Sequence, residues 1–206
     1  MSAAALPSVV AYVLAGGKGS RLSVDKGFNE VGGVPIVQRV IAAAAPVARE
    51  VVLVGDSPEL RRLGLRLITE ESRFGGPLAA LCAAFADATP HDALIVPWDA
   101  PFLTAAALAR LVECKGGADA AVPRREGLLE PLCAVYGPGC REAAQMAFRA
   151  GKRRGDAFFE AVRIRWVGEE DLRACGPWER LFLNVNTPED LAAARQMAAS
   201  GGGSAG

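Results

Sequence analysis

The chain has very little histidine and no excess of charge of either sign. Its 206 residues include one histidine, and 23 acidic residues balance 23 basic ones. His91 lies between a predicted helix end and a predicted strand, where a surface-loop role is expected, so triads that depend on histidine are excluded. A balanced charge creates no overall field that would attract nucleic acid or an anionic membrane. Any anion-binding site must therefore be local.

The cysteine pattern and the hydropathy pattern exclude further classes. The five cysteines are odd in number and contain no Cys-x-x-Cys pair, which argues against a disulfide framework and a zinc knuckle. No apolar run approaches the length of a membrane span, and residues 1–8 lack the charged start and long apolar core of a signal peptide. We therefore expect a cytoplasmic protein with reduced thiols and no membrane partner.

What the chain does contain is an apolar run that leads into a glycine turn. Val9–Leu14 is continuously apolar, as in a fully buried parallel strand, and glycines in 15–20 let the next turn bring backbone N–H groups close to a ligand. Lys18, Arg21 and Lys26 follow within a few residues. Backbone donors and three cations at the carboxyl end of a buried strand suit a polyphosphate.

Taken alone, this turn also fits an ordinary glycine loop with solvated charges. Two familiar phosphate loops do not fit it. The Walker pattern requires serine or threonine after the lysine, but Gly19 follows Lys18. The dinucleotide fingerprint requires a third glycine where Leu22 stands, which disfavours a nicotinamide dehydrogenase.

Alternating strand and helix patterns predict an α/β fold with a single doubly wound, mostly parallel sheet and helices on both faces. Predicted strands are 9–14, 50–54, 65–68, 93–98, 120–123, 132–136, 163–167 and a strand end at 184–186, and predicted helices include 35–45, 58–63, one ending near 88, 104–114 and 140–150. Residues 124–130 are expected to form a polar loop. Thr187, Pro188 and Asp190 predict a capped helix start.

We expect one domain over 1–198, with halves near 9–114 and 115–198, and a disordered tail over 199–206.

Asp99 follows the fourth strand and so falls at the same sheet edge as the glycine loop. A lone carboxylate there is usually a turn or cap residue, but Mg²⁺ needs only one or two carboxylates when phosphates and water supply the rest. The charged run 151–155, Gly-Lys-Arg-Arg-Gly, would by itself be a solvated surface.

Four separated motifs resemble the molybdenum cofactor guanylyltransferase family, in the wider nucleotidyltransferase group. The loop resembles Leu-Ala-Gly-Gly-x-Ser-x-Arg-Met-Gly-x-Asp-Lys, with Gly19, Leu22 and Ser23 as departures. Its matching residues are Leu14, Ala15, Gly16, Gly17, Arg21, Asp25 and Lys26. The other motifs are Gly-Pro-Leu-Ala at 76–79, Trp-Asp-Ala-Pro-Phe at 98–102 and Asn-Val-Asn-Thr-Pro at 184–188.

The resemblance implies a Rossmann-like nucleotidyltransferase fold and a set of site residues. The implied catalytic residues are Lys26, Arg21 and Asp99, with Mg²⁺ on Asp99. The implied nucleotide-binding residues are Leu14, Ala15, Gly16, Gly17, Lys26, Glu71, Gly76, Pro77, Leu78 and Asp99. The implied acceptor-binding residues are Arg153, Arg154, Asn184 and Asn186, the last also as a metal ligand through its carbonyl oxygen. Glu71 stands where the family commonly has Asp, and Val54 where some members have Asn.

The implied reaction is transfer of GMP from GTP to the phosphate of molybdopterin, the molybdenum cofactor, with release of pyrophosphate. Proteins that mature molybdoenzymes are implied partners, whereas nucleic acid is not. Two alternatives stay open: a cytidylyltransferase or sugar-phosphate nucleotidyltransferase of the same fold, and a non-catalytic nucleotide-binding regulator.

Overall fold

A central sheet organises the chain in the computed structural model, which describes residues 8–15, 26–70 and 75–201. The strands are β1 (Val9–Leu14), β2 (Glu30–Val31), β3 (Val34–Pro35), β4 (Glu50–Val54), β5 (Arg66–Ile68), β6 (Asp92–Pro97), β7 (Ala120–Arg125), β8 (Leu128–Leu129), β9 (Ala134–Tyr136) and β10 (Ile164–Val167). The main sheet has the order β10-β7-β9-β6-β1-β4-β5, and β8 pairs with β7. β2 and β3 form a separate antiparallel ribbon.

Helices cover both faces of this sheet. They are α1 (Ile36–Ala44), α2 (Pro58–Arg61), α3 (Gly76–Ala88), α4 (Ala105–Lys115), α5 (Cys140–Arg149), α6 (Glu169–Leu172), α7 (Trp178–Leu181) and α8 (Pro188–Gly201). Short 3₁₀ helices span Lys26–Phe28, Phe159–Ala161 and Arg173–Cys175. Alternate β1 residues pack into two cores, one with α1, α4 and α8 and one with α3 and α5. Burial on both faces explains why β1 is continuously apolar.

The directions of the strands show which edge of the sheet is expected to bind ligands. β1 is parallel to β4 and to β6, which lie on opposite sides of it. β9 runs antiparallel to both β6 and β7. The chain therefore reverses its direction of travel across the sheet between β1 and β6, and ligands of such sheets bind beyond the carboxyl ends at this switch point. The predicted fold class is confirmed.

Three local predictions differ from the structure. Residues 124–130 are not a loop, because Arg124 and Arg125 pair with Leu129 and Leu128 across a two-residue turn. Both turn residues, 126 and 127, have positive φ, as tight hairpins require. Residues 184–186 join no strand. The last helix continues to Gly201, where the Ser200 hydroxyl donates to the Gln196 carbonyl, so the predicted boundary at 198 falls inside a helix.

No helix in the described parts of the chain combines the length and apolarity that a membrane crossing requires.

The Arg66 cluster (Tyr12, Glu50, Arg66 and Asp87) joins β1, β4, β5 and α3. Arg66 forms two-pronged pairs with Glu50, at 2.7 and 3.1 Å, and with Asp87, at 2.7 and 2.9 Å. The Tyr12 hydroxyl donates to Asp87 at 2.6 Å. The hydrogen bonds from Arg66 are the largest cause that lowers the pKa of both carboxyl groups.

This cluster predicts an acid-dependent loss of stability. Because the two pKa values are lower in the folded chain, the stabilisation is complete above their unfolded values, about 4, and is lost as the pH falls through the folded values. Arg66→Met should lower the free energy of unfolding at pH 7, and the gap from wild type should shrink as the pH approaches 3. Urea unfolding at several pH values measures this, with the exposed Arg61→Met as control. A gap that is independent of pH would contradict the prediction.

Candidate active site

Lys26 and Asp99 form an ion pair at the carboxyl edge of the sheet. Lys26 begins the first 3₁₀ helix, and Asp99 lies two residues beyond β6. The Lys26 Nζ is 2.5 Å from the Asp99 Oδ2, and the two side chains are only 11% and 10% exposed. Ionised side chains are rarely this buried unless they are paired, and strongly buried charges at a sheet's ligand edge are typical of functional sites.

Asn186 completes a three-residue cluster, because its Oδ1 accepts from the Lys26 Nζ at 3.0 Å. The loop that carries it is held to the same strand end, since the Val185 N–H donates to the Asp99 carbonyl at 2.9 Å. The sequence predicted a backbone contact for Asn186. The structure shows that its side chain orients the lysine.

The start of α8 fixes this asparagine loop. The Asp190 carboxylate accepts from the N–H groups of Asn186 and Thr187, each at 2.9 Å, and the Thr187 Oγ1 accepts from the Asp190 N–H at 3.1 Å. The predicted capping box is therefore confirmed. The hydrogen bond from the Asn186 N–H is the largest cause that holds the pKa of Asp190 below its ordinary value.

Trp98 packs against Gly27, the residue that follows Lys26. A Cβ at Gly27 would lie 2.4 Å from the indole Cε3, so only glycine allows the lysine segment to lie against this ring. Phe28 meets the same indole edge-on, with ring centroids 6.2 Å apart. The backbone next to Lys26 is therefore positioned by aromatic packing.

The glycine loop begins at a fixed point between two strands. The Ala15 N–H donates to the Val54 carbonyl at 2.8 Å, and the Trp98 N–H donates to the Leu14 carbonyl at 3.2 Å. Leu14 and Ala15 are both buried. The predicted contacts of Gly16, Gly17, Arg21, Asp25 and Glu71 lie outside the described residues.

The predicted nucleotide segment at the start of α3 touches the predicted acceptor segment. Gly76 has a φ of +63°, and a Cβ there would lie 3.0 Å from the Arg153 carbonyl oxygen. The Leu78 N–H donates to that same oxygen at 3.1 Å, and the Leu78 side chain is fully buried. Leu78 therefore offers a ligand neither a free N–H nor a side chain. Pro77, in contrast, is exposed.

The two predicted acceptor arginines already have partners within the protein. The Arg153 guanidinium lies 4.6 Å from the centre of the Phe148 ring and donates to the carbonyls of Phe148 and Lys152. Arg154 pairs with Asp156 through two hydrogen bonds, at 2.9 and 2.7 Å, while its side chain is 84% exposed. The positive charge of this segment is therefore partly balanced locally.

The acceptor contact of Asn184 stays a prediction. Its Oδ1 is buried and has no hydrogen-bond partner in the part of the chain that the structure describes. The amide oxygen is thus enclosed, whereas Asn186, two residues later, is exposed.

The sequence reasoning did not foresee that Asp99 and Asn186 both bind Lys26. The Asn-Val-Asn-Thr-Pro motif was the one available signal for Asn186.

The chain is similar in sequence to known proteins over most of its length. The family model for a MobA-like NTP transferase domain matches residues 11–166. A probable molybdenum cofactor guanylyltransferase from Pelotomaculum thermopropionicum is 40% identical over 187 residues, which cover 90% of this chain and 91% of the relative. A molybdenum cofactor guanylyltransferase from Desulfosudis oleivorans is 32% identical over 193 residues, covering 90% of this chain and 94% of the relative.

A solved structure shares the whole architecture. Molybdopterin-guanine dinucleotide biosynthesis protein A from Archaeoglobus fulgidus superposes with a TM-score of 0.79 at 25% identity, covering 93% of this chain and 99% of that one. The family match, the sequence relatives and this structural neighbour all span the Lys26–Asp99 pair. The chain therefore belongs to the MobA-like NTP transferase family and is a nucleotidyltransferase.

Proposed function

We propose that this enzyme transfers GMP from GTP to the phosphate of molybdopterin and releases pyrophosphate. The observation that carries the proposal is the buried Lys26–Asp99 pair, with Asn186 bound to the lysine, at the switch point of the sheet. The names of two relatives suggest the substrates, since one is a molybdenum cofactor guanylyltransferase and the other a probable one.

The reaction requires positioning rather than a side-chain nucleophile. An oxygen of the acceptor phosphate attacks the α-phosphorus of GTP in line, the new P–O bond forms, and the bond from the α-phosphorus to the β-phosphate oxygen breaks. The electron pair of that bond leaves on pyrophosphate. Catalysis then consists of holding the phosphates in line and neutralising their charge.

Lys26 is the chain's own group for that neutralisation. Its ammonium has three donors, and Asp99 and Asn186 occupy two of them. No third partner of this ammonium lies among the described residues, so a donor is left for a phosphate oxygen. Because the other two contacts fix the ammonium before substrate binds, little reorganisation is needed when charge develops on the leaving group.

The donor set also fits a magnesium ion that is held mainly by phosphates. Nucleotidyltransferases generally use a divalent metal. The described residues contain no group of three or more acidic, histidine or cysteine side chains that could enclose one, but Lys26 contacts only one of the two Asp99 carboxylate oxygens. The other Asp99 oxygen has no partner in the described ranges, which suits Mg²⁺, an ion that binds through one or two carboxylates plus substrate phosphates and water. Bound there, Mg²⁺ would neutralise phosphate charge.

Pyrophosphate release tests the proposal. Each of the four ribonucleoside triphosphates is mixed with the full chain and Mg²⁺, with and without molybdopterin. We expect release with GTP only when molybdopterin is present. Release with CTP instead would identify a cytidylyltransferase, and GTP binding without release under any condition would identify a non-catalytic regulator.

The segment Lys152–Arg154 is proposed to serve the acceptor side. It borders a surface cavity of about 350 Å³, whose lining is Lys152, Arg153, Arg154, Asp156, Ala157 and Glu160. A phosphate-bearing acceptor needs cations there, because the chain as a whole has no net charge.

Replacing Arg153 and Arg154 with alanine together should raise the acceptor KM about tenfold, the scale of one or two charged hydrogen bonds. The Kd for GTP should stay within a few-fold of wild type. Asp156→Asn is the matched variant, since it frees Arg154 and should leave the acceptor KM equal or lower. An equal loss of GTP affinity would assign the segment to the nucleotide.

A further inference from the structure

Glu130 lies at the ligand edge of the sheet, on the acceptor half. It precedes β9, the antiparallel strand between β6 and β7. Residues that enter β9 therefore lie at the edge where β6 ends and Asp99 follows. The Glu130 N–H donates to the Pro123 carbonyl near the end of β7, at 3.1 Å.

The backbone around Glu130 is held from several sides. The Cys133 N–H donates to the Glu130 carbonyl at 3.1 Å. The hydroxyl of the buried Tyr136 donates to the Pro131 carbonyl at 2.8 Å. Gly155, next to the acceptor segment, packs against the Pro131 ring, where a Cβ would be 3.4 Å away. The carboxyl group of Glu130 is thus presented from a rigid segment beside Lys152–Arg154.

The carboxylate itself has no partner among the described residues, although it is half-buried. Burial raises the pKa of Glu130, and no cation among the described residues offsets this effect. The arginines that end β7 are engaged elsewhere, Arg125 with two other acids and Arg124 over the Trp166 ring at 4.7 Å. A half-buried carboxylate without a donor is unfavourable unless a ligand supplies one.

The charge of Glu130 also acts on Cys133, a residue of the core cluster beside the active site. Burial is the largest cause that raises the pKa of the Cys133 thiol, and the charge of Glu130 is the second. Cys133 packs in the same core cluster as Trp98 and Val185, the neighbours of Asp99 and Asn186. The carboxylate is therefore on the same edge and near the same face as the Lys26 cluster.

We propose that Glu130 binds the amino group and adjacent ring N–H of the acceptor's pterin, and so selects the acceptor. This inference rests on the proposed function. A carboxylate accepts two parallel N–H bonds from such an edge, which matches its two oxygens. Guanine has the same edge, but Glu130 precedes β9, which β6 separates from β1 and the start of the glycine loop, and it lies beside the predicted acceptor segment. The position therefore assigns Glu130 to the pterin.

The test compares pterin with lumazine, which carries an oxygen in place of the amino group. Fluorescence titration of both compounds with the full chain gives their Kd values. Wild type should prefer pterin by about tenfold or more, and Glu130→Gln should lose most of that preference, the scale of a charged hydrogen bond. Glu126→Gln removes the same charge from the turn of the preceding hairpin, at an exposed position, and should retain the preference.

Steady-state kinetics then shows whether Glu130 contacts the pterin of the acceptor or the guanine of GTP. With saturating GTP, Glu130→Gln should raise the molybdopterin KM about tenfold while the Kd for GTP stays within about twofold. An unchanged preference for pterin in Glu130→Gln overturns the inference, and so does a loss confined to GTP affinity. If wild type shows a preference that depends on Glu130 but no GMP transfer, the proposed function fails and the assignment of Glu130 stands.

Discussion

Lys26→Ala should lower kcat for GMP transfer about 100-fold or more, the scale of losing one preorganised electrostatic donor. Negative charge moves onto pyrophosphate as the P–O bond breaks, so the ammonium should bind the transition state more strongly than it binds GTP. The Kd for GTP should accordingly rise less than kcat falls. Lys26→Arg should restore activity only in part, because a planar guanidinium does not replace a compact ammonium between Asp99 and Asn186.

A stability control separates catalysis from folding in this experiment. Lys26→Ala leaves the Asp99 carboxylate buried without its cation, which typically costs about 3 to 5 kcal/mol. The double variant Lys26→Ala/Asp99→Asn removes that charge and should recover much of the melting temperature while remaining inactive. A Lys26→Ala enzyme that binds GTP weakly but keeps its kcat would show that the lysine only anchors the ground state.

Asp99→Asn should lower kcat about 1000-fold, because it removes the carboxylate proposed to bind Mg²⁺ and also one of the groups that orient Lys26. The amide keeps the shape of the side chain and can still accept from the ammonium, so the fold should survive. The Mg²⁺ concentration for half-maximal activity should rise. Metal titrations of kcat, with melting curves alongside, measure both effects.

The matched control for Asp99→Asn is Glu142→Gln, which removes a carboxylate from the exposed face of α5. It should behave as wild type in kcat and in Mg²⁺ dependence. Turnover near the wild-type value in Asp99→Asn would remove this carboxylate from the mechanism.

Local signals were enough to predict most of the fold. The apolar runs at 9–14, 50–54 and 93–98 became strands within one or two residues, since a parallel strand buried on both faces has no polar position. Thr104 and Thr187 cap helices as predicted, because a cap needs only a side chain three residues from its donor. The hairpin at Arg124–Leu129 was missed because β8 has only two residues and pairs with the charged end of β7, which is too short for an alternating pattern.

The amino-acid order by itself determined where most strands of the main sheet lie, to within about two residues, and which motifs follow them. Only the tertiary structure decided which side chains meet there. Lys26 pairs with Asp99, 73 residues away, and with Asn186, 160 residues away, although an acid stands directly before it in the chain. Likewise, Arg154 is balanced by a neighbour while Glu130 has no partner among the described residues. Caps and apolar periods depend on residues a few positions apart, whereas ion pairing at the site depends on strand order and helix packing, which bring distant segments to one edge of the sheet.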